Sequence, residues 1–339
     1  MNARLSLALE GADAMPSSGR ILVLNAGAAA DLSLLPQDRV TIVQGFRPDH
    51  DALAARGYAV TPETGGPDGE LAAAIVFLPR ARAEARALVA EAARQVSPGG
   101  PVWVDGQKTD GIESMARDVR SRVAISAPVA KAHGKIFRFD APDGPAFADW
   151  RAAESVPAPG FVTLPGMFSA DKPDAGSALL AGALPGDLSG RGADLGAGWG
   201  WLSAQILAQG RVGGLHLVEA NHSALACARR NIADLRAQFH WADVALFEPG
   251  GKLDFVVTNP PFHTTRAADT KLGEAFVRAA GRMLKPSGQM LMVANRHLPY
   301  ETVLAETFRD FDEIKGNAGY KVFRAARPRV SPRSVAARN

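Results

Sequence analysis

A single cysteine, Cys227, in 339 residues leaves no internal disulfide and no cysteine-rich zinc site, and suits a reducing compartment. Its place on a predicted helix makes it a buried structural thiol rather than a nucleophile. No His, Cys and carboxylate residues fall at metal-ligand spacing, so no metal is expected. No apolar run is long enough to span a bilayer. Glu10 and Asp13 interrupt the short apolar stretch near the N-terminus, so no signal peptide is read there. These absences lead to the expectation of a cytoplasmic protein without membrane contact, and a monomer is expected. A strong net charge is also missing. Lys and Arg number 38 against 35 Asp and Glu, and a balance of +3 does not establish nucleic-acid binding. The end of the chain is the exception: Arg324, Arg327, Arg329, Arg333 and Arg338 follow Phe323 with no acid among them. That stretch reads equally as a frayed end or as an RNA-contacting arm.

What is present is ordinary globular material, 47% hydrophobic and 22% charged, long enough for two cores. Strand-like and helix-like segments alternate, which predicts an α/β fold with parallel, doubly wound sheets and ligands at the carboxyl ends of the strands. The halves also resemble each other. Leu88–Val104 and Phe276–Met292 each read as an amphipathic helix, a proline-glycine turn and a strand. Linker-like Pro and Gly clusters at 141–145 and 156–160 place a boundary near 150.

Asn259-Pro260-Pro261-Phe262 follows the apolar run Leu253–Thr258 and reads as a buried strand ending in a stiff turn. Two adjacent prolines fix φ and remove two donors, so their carbonyls only accept. The Asn259 side chain and the Pro260 carbonyl are candidate acceptors for the hydrogens of a planar amino group, and the Phe262 ring is a face to stack on. His263 is adjacent and reads as structural or substrate-positioning. No side chain here stands out as a general base. A plain strand followed by a proline turn is the competing reading.

Upstream, Gly192–Gly200 reads as a strand, a glycine-rich turn and then a helix from about Trp201. Glycines allow positive φ and close approach of the backbone to a ligand. A dinucleotide fingerprint is one possibility. The spacing, however, is Gly196-x-Gly198-x-Gly200, and Asp194 lies just ahead of it. An acid there repels a pyrophosphate but holds an ammonium. Asp194-Leu195-Gly196-Ala197-Gly198 resembles motif I of class I S-adenosylmethionine (SAM) methyltransferases. A second strand, Gly214–Glu219, then ends in an acid about twenty residues on, where ribose hydroxyls would be held. Ser223–Leu235 is helical in pattern. A third strand, Phe239–Asp243, ends in an acid placed to take an adenine amino group. The first half lacks this chemistry. It has neither glycine turn nor Asn-Pro-Pro-Phe, and Gln44 follows its second strand, Val40–Val43.

Taken together, these stretches resemble the bacterial ribosomal RNA guanine-N2 methyltransferases, most closely the small-subunit (16S) C type, over nearly the whole chain. Further support comes from Leu164–Ser169 with Asp174-Ala175-Gly176-Ser177, from Val293–Tyr300, from Tyr320–Ala325, and from the loop Gln107–Ser114. Ala197 stands where that family often has Cys, and Glu219 where Asp is commoner. The resemblance implies two tandem Rossmann-like methyltransferase domains. Residues 1–150 would be a degenerate copy serving fold support and RNA recognition, 151–330 the catalytic domain, and 331–339 a basic tail. It implies SAM as cofactor, held by Asp194, Leu195, Gly196, Ala197, Gly198, Glu219, Ala220, Asp243, Val244 and Asn259. It implies Asn259, Pro260 and Phe262 as catalytic residues, with Pro261, His263, Phe168 and Lys108 against the substrate. Ribosomal RNA or the 30S subunit would be the partner. Large-subunit (23S) guanine-N2 methylation, adenine-N6 or protein-glutamine methylation, a nicotinamide-dependent oxidoreductase and a non-catalytic RNA-binding protein remain alternatives.

Overall fold

A computed structural model describes residues 3–10, 14–65, 71–261 and 266–329. Its packing divides the chain into two units. One is Met1–Glu154 with Leu164–Gly166, and the other is Ser155–Thr163 with Met167 onward.

The first unit contains β1 (Ile21–Leu24), β2 (Val40–Val43), β3 (Ala59–Thr61), β4 (Ala73–Phe77), β5 (Pro101–Gln107), β6 (Val129–Lys131) and β7 (Gly134–Asp140). The second contains β8 (Ser189–Leu195), β9 (Arg211–Glu219), β10 (Ala237–Trp241), β11 (Leu253–Thr258), β12 (Leu284–Asn295), β13 (Phe308–Gly316) and β14 (Tyr320–Pro328). The sheet orders are β3-β2-β1-β4-β5-β7-β6 and β10-β9-β8-β11-β12-β14-β13, the same order twice. In each, the first five strands of the unit run parallel and the last two pair antiparallel.

Central strands of such sheets are covered on both faces, which explains their unbroken apolar runs. Along β11, Phe255 and Val257 join a core with Leu217, Ile206 and Val293, while Val256 points to the opposite core with Val218, Phe276 and Met292. In the first unit, Val23 and Ile75 pack on one face, and Leu24 and Val76 on the other. Both sheets reverse order between their first and fourth strands, β1/β4 and β8/β11, so each has a crevice beyond the carboxyl ends of that pair.

The observed elements depart from expectation in detail. The helix expected over Ser223–Leu235 runs from His222 to Asn231, because Ile232 turns extended at φ −124°. The third strand of the second unit is Ala237–Trp241, and Asp243 lies two residues beyond it. The Pro-Gly turn near 285–288 is absorbed into β12, with a register shift between Leu253 and Phe255 in β11. Arg324, Arg327 and Arg329 are not part of a frayed end. Arg324 bonds Gln289 at 2.8 Å, Arg327 pairs with Asp310, and Arg329 donates to the Ala305 and Phe308 carbonyls. The basic tail 331–339 lies outside the described residues. Cys227 is buried, as its helical position implied. Among the described residues no helix is long and apolar enough to cross a membrane.

Candidate active site

The glycine turn begins where β8 ends. The amides of Gly196 and Ala197 both donate to the Val218 carbonyl, at 2.9 and 3.1 Å, which folds the chain back over the tip of β9. Gly196, Gly198 and Gly200 have φ of +76°, +56° and +91°, a region that side chains strain to enter. Space matters as much as φ. A Cβ on Gly200 would sit 2.8 Å from Ile232, whereas a Cβ on Gly198 would project into open space. Gly198 therefore leaves a cradle open beside its backbone, and helix Trp201–Leu207 starts from Gly200.

Two acids stand behind this turn. Asp194, 1% exposed, accepts a 2.6 Å bond from the Ser203 hydroxyl on Oδ2, while its buried Oδ1 has no partner. Burial pushes its carboxyl up to about 7; the Ser203 bond opposes the rise, and the nearby Glu219 charge adds to it. Glu219, at the end of β9, accepts from the Gly198 amide at 2.8 Å and the Asn221 amide at 2.7 Å. Burial raises its carboxyl, and these backbone bonds oppose the rise. A buried carboxylate oxygen without a donor is unstable in isolation, so the pair is built to meet a cationic or hydrogen-bonding ligand.

On the neighbouring strand, the Thr258 hydroxyl donates to the Leu195 carbonyl at 2.8 Å and fastens the tip of β11 to β8. Asn259 follows. Its Nδ2 donates to Asp174 Oδ2 and to Ser177 Oγ, each at 2.8 Å, and its buried Oδ1 has no partner. Asp174 also accepts from the Ser177 amide as N-cap of the helix Ala175–Ala181. Phe168, Asp174, Ser177, Gly198, Trp201 and Asn259 line one pocket. Its wall is thus a glycine turn, a proline-backed acceptor and exposed aromatic surface. The described residues contain no His, Cys and carboxylate group suited to a metal.

A protein from Hahella chejuensis called ribosomal RNA small subunit methyltransferase C is 30% identical over 331 residues, 91% of this chain and 95% of that one. The chain belongs to the ribosomal RNA small subunit methyltransferase C family. The Shewanella oneidensis member is 31% identical over 259 residues, 74% of this chain and 75% of its own. Residues 159–324 match the family model described as methyltransferase small domain. Among solved structures, the T. thermophilus 16S rRNA N2 G1207 methyltransferase in complex with AdoMet and guanosine aligns with a TM-score of 0.79 at 28% identity. It covers 92% of this chain and 89% of that one.

Within this methyltransferase C member, the structure brings Asp194, Leu195, Gly196, Ala197, Gly198, Glu219 and Asn259 to one edge of the second sheet. Ala220 is adjacent, and its carbonyl accepts from Trp241 Nε1 at 2.8 Å. Asp243 caps a short turn by accepting from the Ala245 amide at 2.8 Å, and Val244 beside it is buried. Pro260 is buried and Pro261 exposed. Phe168 is 48% exposed, with its carbonyl held by Trp199 Nε1 at 3.1 Å. Lys108 belongs to the first unit, exposed on the turn Lys108–Asp110. Phe262 and His263 lie outside the described residues.

Sequence reasoning gave no site role to three residues that shape the site: Asp174 and Ser177, noted only as part of a family-like stretch, and Ser203. The Asp174-x-x-Ser177 spacing before an apolar run is an N-cap signature, which announces the helix but not the bond to Asn259. Ser203 carries no local signal, because its contact with Asp194 exists only once helix and strand pack.

Proposed function

We propose that the second unit transfers the methyl group of SAM to the exocyclic N2 of a guanine in small-subunit ribosomal RNA. The observation that carries this reading is Asn259, whose amide nitrogen is fully engaged while its buried oxygen waits for a donor beside the glycine cradle. The residues fit SAM. Asp194 Oδ1 suits its ammonium, the turn Gly196–Gly198 its close backbone contact, Glu219 its ribose, and Asp243 with Val244 its adenine. When bound, SAM supplies an electrophilic methyl.

The chain's own residues then have a defined task. Guanine N2 is a poor nucleophile because its lone pair is delocalised into the ring, so placement and charge stabilisation are what the protein must provide. Asn259 Oδ1 and the Pro260 carbonyl accept the two N–H groups and stabilise positive charge growing on nitrogen. Phe262 is assigned the stacking face for the base, and Pro261, His263 and Phe168 further contacts with the substrate. The base must be unpaired or extruded to enter. The first unit supports the fold and contributes RNA recognition, with Lys108 as one contact. Ribosomal RNA, free or within the small subunit, is the partner, and the chain works as a cytoplasmic monomer.

The T. thermophilus relative crystallised with AdoMet and guanosine supports the pairing of cofactor and base. The test is methyl transfer from labelled SAM to small subunits that lack the modification, followed by mass mapping of the RNA. Label on a guanine N2 is the expected result. Label on adenine, on protein, or nowhere rejects the reading.

A further inference from the structure

We infer that Asp174 and Ser177 are positioning residues that lock the Asn259 carboxamide in one of its two orientations, and so make the site selective for a substrate that presents an amino group. The inference rests on the function proposed above and adds to it the origin of that selectivity.

A carboxamide is nearly symmetric in shape but not in chemistry. One end donates twice and the other only accepts. Turned by 180°, Asn259 would offer the substrate an NH2 group and select a carbonyl. Nothing in the Asn-Pro-Pro turn itself prevents this, because the prolines fix the backbone and not the side-chain torsion. The structure shows what does. Asp174 Oδ2 and Ser177 Oγ both lie 2.8 Å from Asn259 Nδ2, so each of its two hydrogens has an acceptor. An ionised carboxylate only accepts. Reversal would set Asn259 Oδ1 against Asp174 Oδ2, two acceptors at contact distance in a buried setting, and would leave both Nδ2 hydrogens without these partners. The charge-assisted bond holds the amide end inward. Oδ1 is thereby turned to the side where, among the described residues, no donor meets it.

Asp174 is itself held. The same Oδ2 accepts from the Ser177 amide at 2.8 Å, as N-cap of the helix Ala175–Ala181. Gly176 packs tightly beside it, since a Cβ there would lie 2.9 Å from Asp174 Oδ2 and 3.1 Å from the Tyr320 ring. Helix start and carboxamide lock are thus one construction. That explains why a cap sits here, in the segment just ahead of β8.

The test separates capping from positioning. Serine caps a helix as well as aspartate does, but it is too short to hold the cap and also reach Asn259. Asp174→Ser is therefore expected to keep its melting temperature while single-turnover methyl transfer at saturating SAM falls about ten- to a hundredfold. Asp174→Asn keeps an oxygen at the same reach and should recover most of that loss. Ser177→Ala leaves the backbone cap intact and should lower the rate less, in the same direction. The decisive readout is binding of guanosine against inosine, which lacks the 2-amino group, measured by calorimetry with S-adenosylhomocysteine present. Wild type should prefer guanosine, and Asp174→Ser should lose that preference. An equal weakening of both nucleosides, or an unchanged rate with the preference kept, overturns the positioning role. Asn259→Ala run alongside keeps the two levels apart. If it is inactive while Asp174→Ser and Ser177→Ala behave as wild type, only the positioning inference fails. If Asn259→Ala is itself fully active, the proposed function of the site fails.

Discussion

The two units share one sheet order and part company at three positions that strand register makes equivalent. Leu24 pairs with Val43 and Val76, as Leu195 pairs with Val218 and Thr258. One residue before that leucine, Val23 stands in the first unit and Asp194 in the second. One residue past Val43 and Val218, Gln44 answers Glu219, and one past Val76 and Thr258, Phe77 answers Asn259. Even the turn persists. Asn25 keeps φ at +59° where Gly196 has +76°, and both amides donate to the equivalent carbonyl at 2.9 Å. At the equivalent strand ends, however, the first unit satisfies its own polar groups. Gln44 Nε2 donates to the Ala26 carbonyl at 2.8 Å, Asn25 Nδ2 to the Phe77 carbonyl at 2.9 Å, and the Ala28 amide to Asp49 at 2.8 Å. The second unit leaves Asp194 Oδ1 and Asn259 Oδ1 buried and unmatched. A fold survives loss of its site because packing needs only apolar pattern and volume, while a ligand site needs particular atoms kept unsatisfied by the protein.

The comparison breaks most visibly at the acceptor. Asn259→Ala should lower single-turnover methyl transfer by about 10²–10³-fold, the usual effect of removing one preorganised partner. Phe77→Leu at the equivalent place should leave the rate unchanged. Equal sensitivity of the two would mean that the first unit shares in the chemistry.

Cofactor binding comes next. Asp194→Ala should weaken SAM by about 1.5–3 kcal/mol, the worth of a charge-assisted hydrogen bond, and titration calorimetry of wild type should give one SAM per chain. A second site, or an unchanged affinity in the mutant, would remove the distinction drawn here. Gln44→Ala should do the reverse. It leaves the Ala26 carbonyl and the Phe46 amide without their side-chain partner, so it should destabilise the first unit by about 1–3 kcal/mol without lowering SAM affinity. Denaturant unfolding and calorimetry check both halves of that statement.

Two pH effects should be confined to the second unit. Asp194 is raised to about 7 in the free protein, and an ammonium is held by its ionised form. SAM affinity should be flat above that value and fall below it, by at most about tenfold per pH unit; an affinity independent of pH from 5 to 8 would argue against contact with Asp194. The smaller effect concerns His216 and His240, whose ring nitrogens lie 2.9 Å apart. Burial pushes His216 down to about 4 and also lowers His240, with the nearby cationic groups acting in the same direction. Unfolded histidines titrate near 6.5, so the unfolded chain takes up protons first as pH falls. The stability from keeping this pair neutral is complete above about 6.5 and is lost on going down toward 4. His216→Phe should flatten that part of the melting-temperature profile.

Much of this was legible in the chain before any coordinates. Apolar runs such as Phe255-Val256-Val257 set the parallel central strands, and the matching helix-turn-strand segments revealed the repeat. The ends of β8 and β11 were read correctly because glycine and proline act locally: the turn after Leu195 and the stop at Asn259 need no distant partner. Asp194, Gly196, Gly198 and Asn259 stand out as candidates for the same reason, each beside a local signal. Arg324, Arg327 and Arg329 were misread because a strand whose charges are matched by Gln289, Asp310 and backbone carbonyls looks, in sequence alone, like a basic tail.

The sequence by itself determined which half carries the glycine turn and the Asn-Pro-Pro stop, since those residues occur in one copy and not the other. Only the tertiary structure decided how they are poised. The bonds from Ser203 to Asp194, from the Gly198 amide to Glu219, and from Asn259 to Asp174 join residues 9, 21 and 85 positions apart. Such bonds depend on strands and helices closing on one another. What they leave unpaired among the described residues, Asp194 Oδ1 and Asn259 Oδ1, exists only as the remainder of that packing.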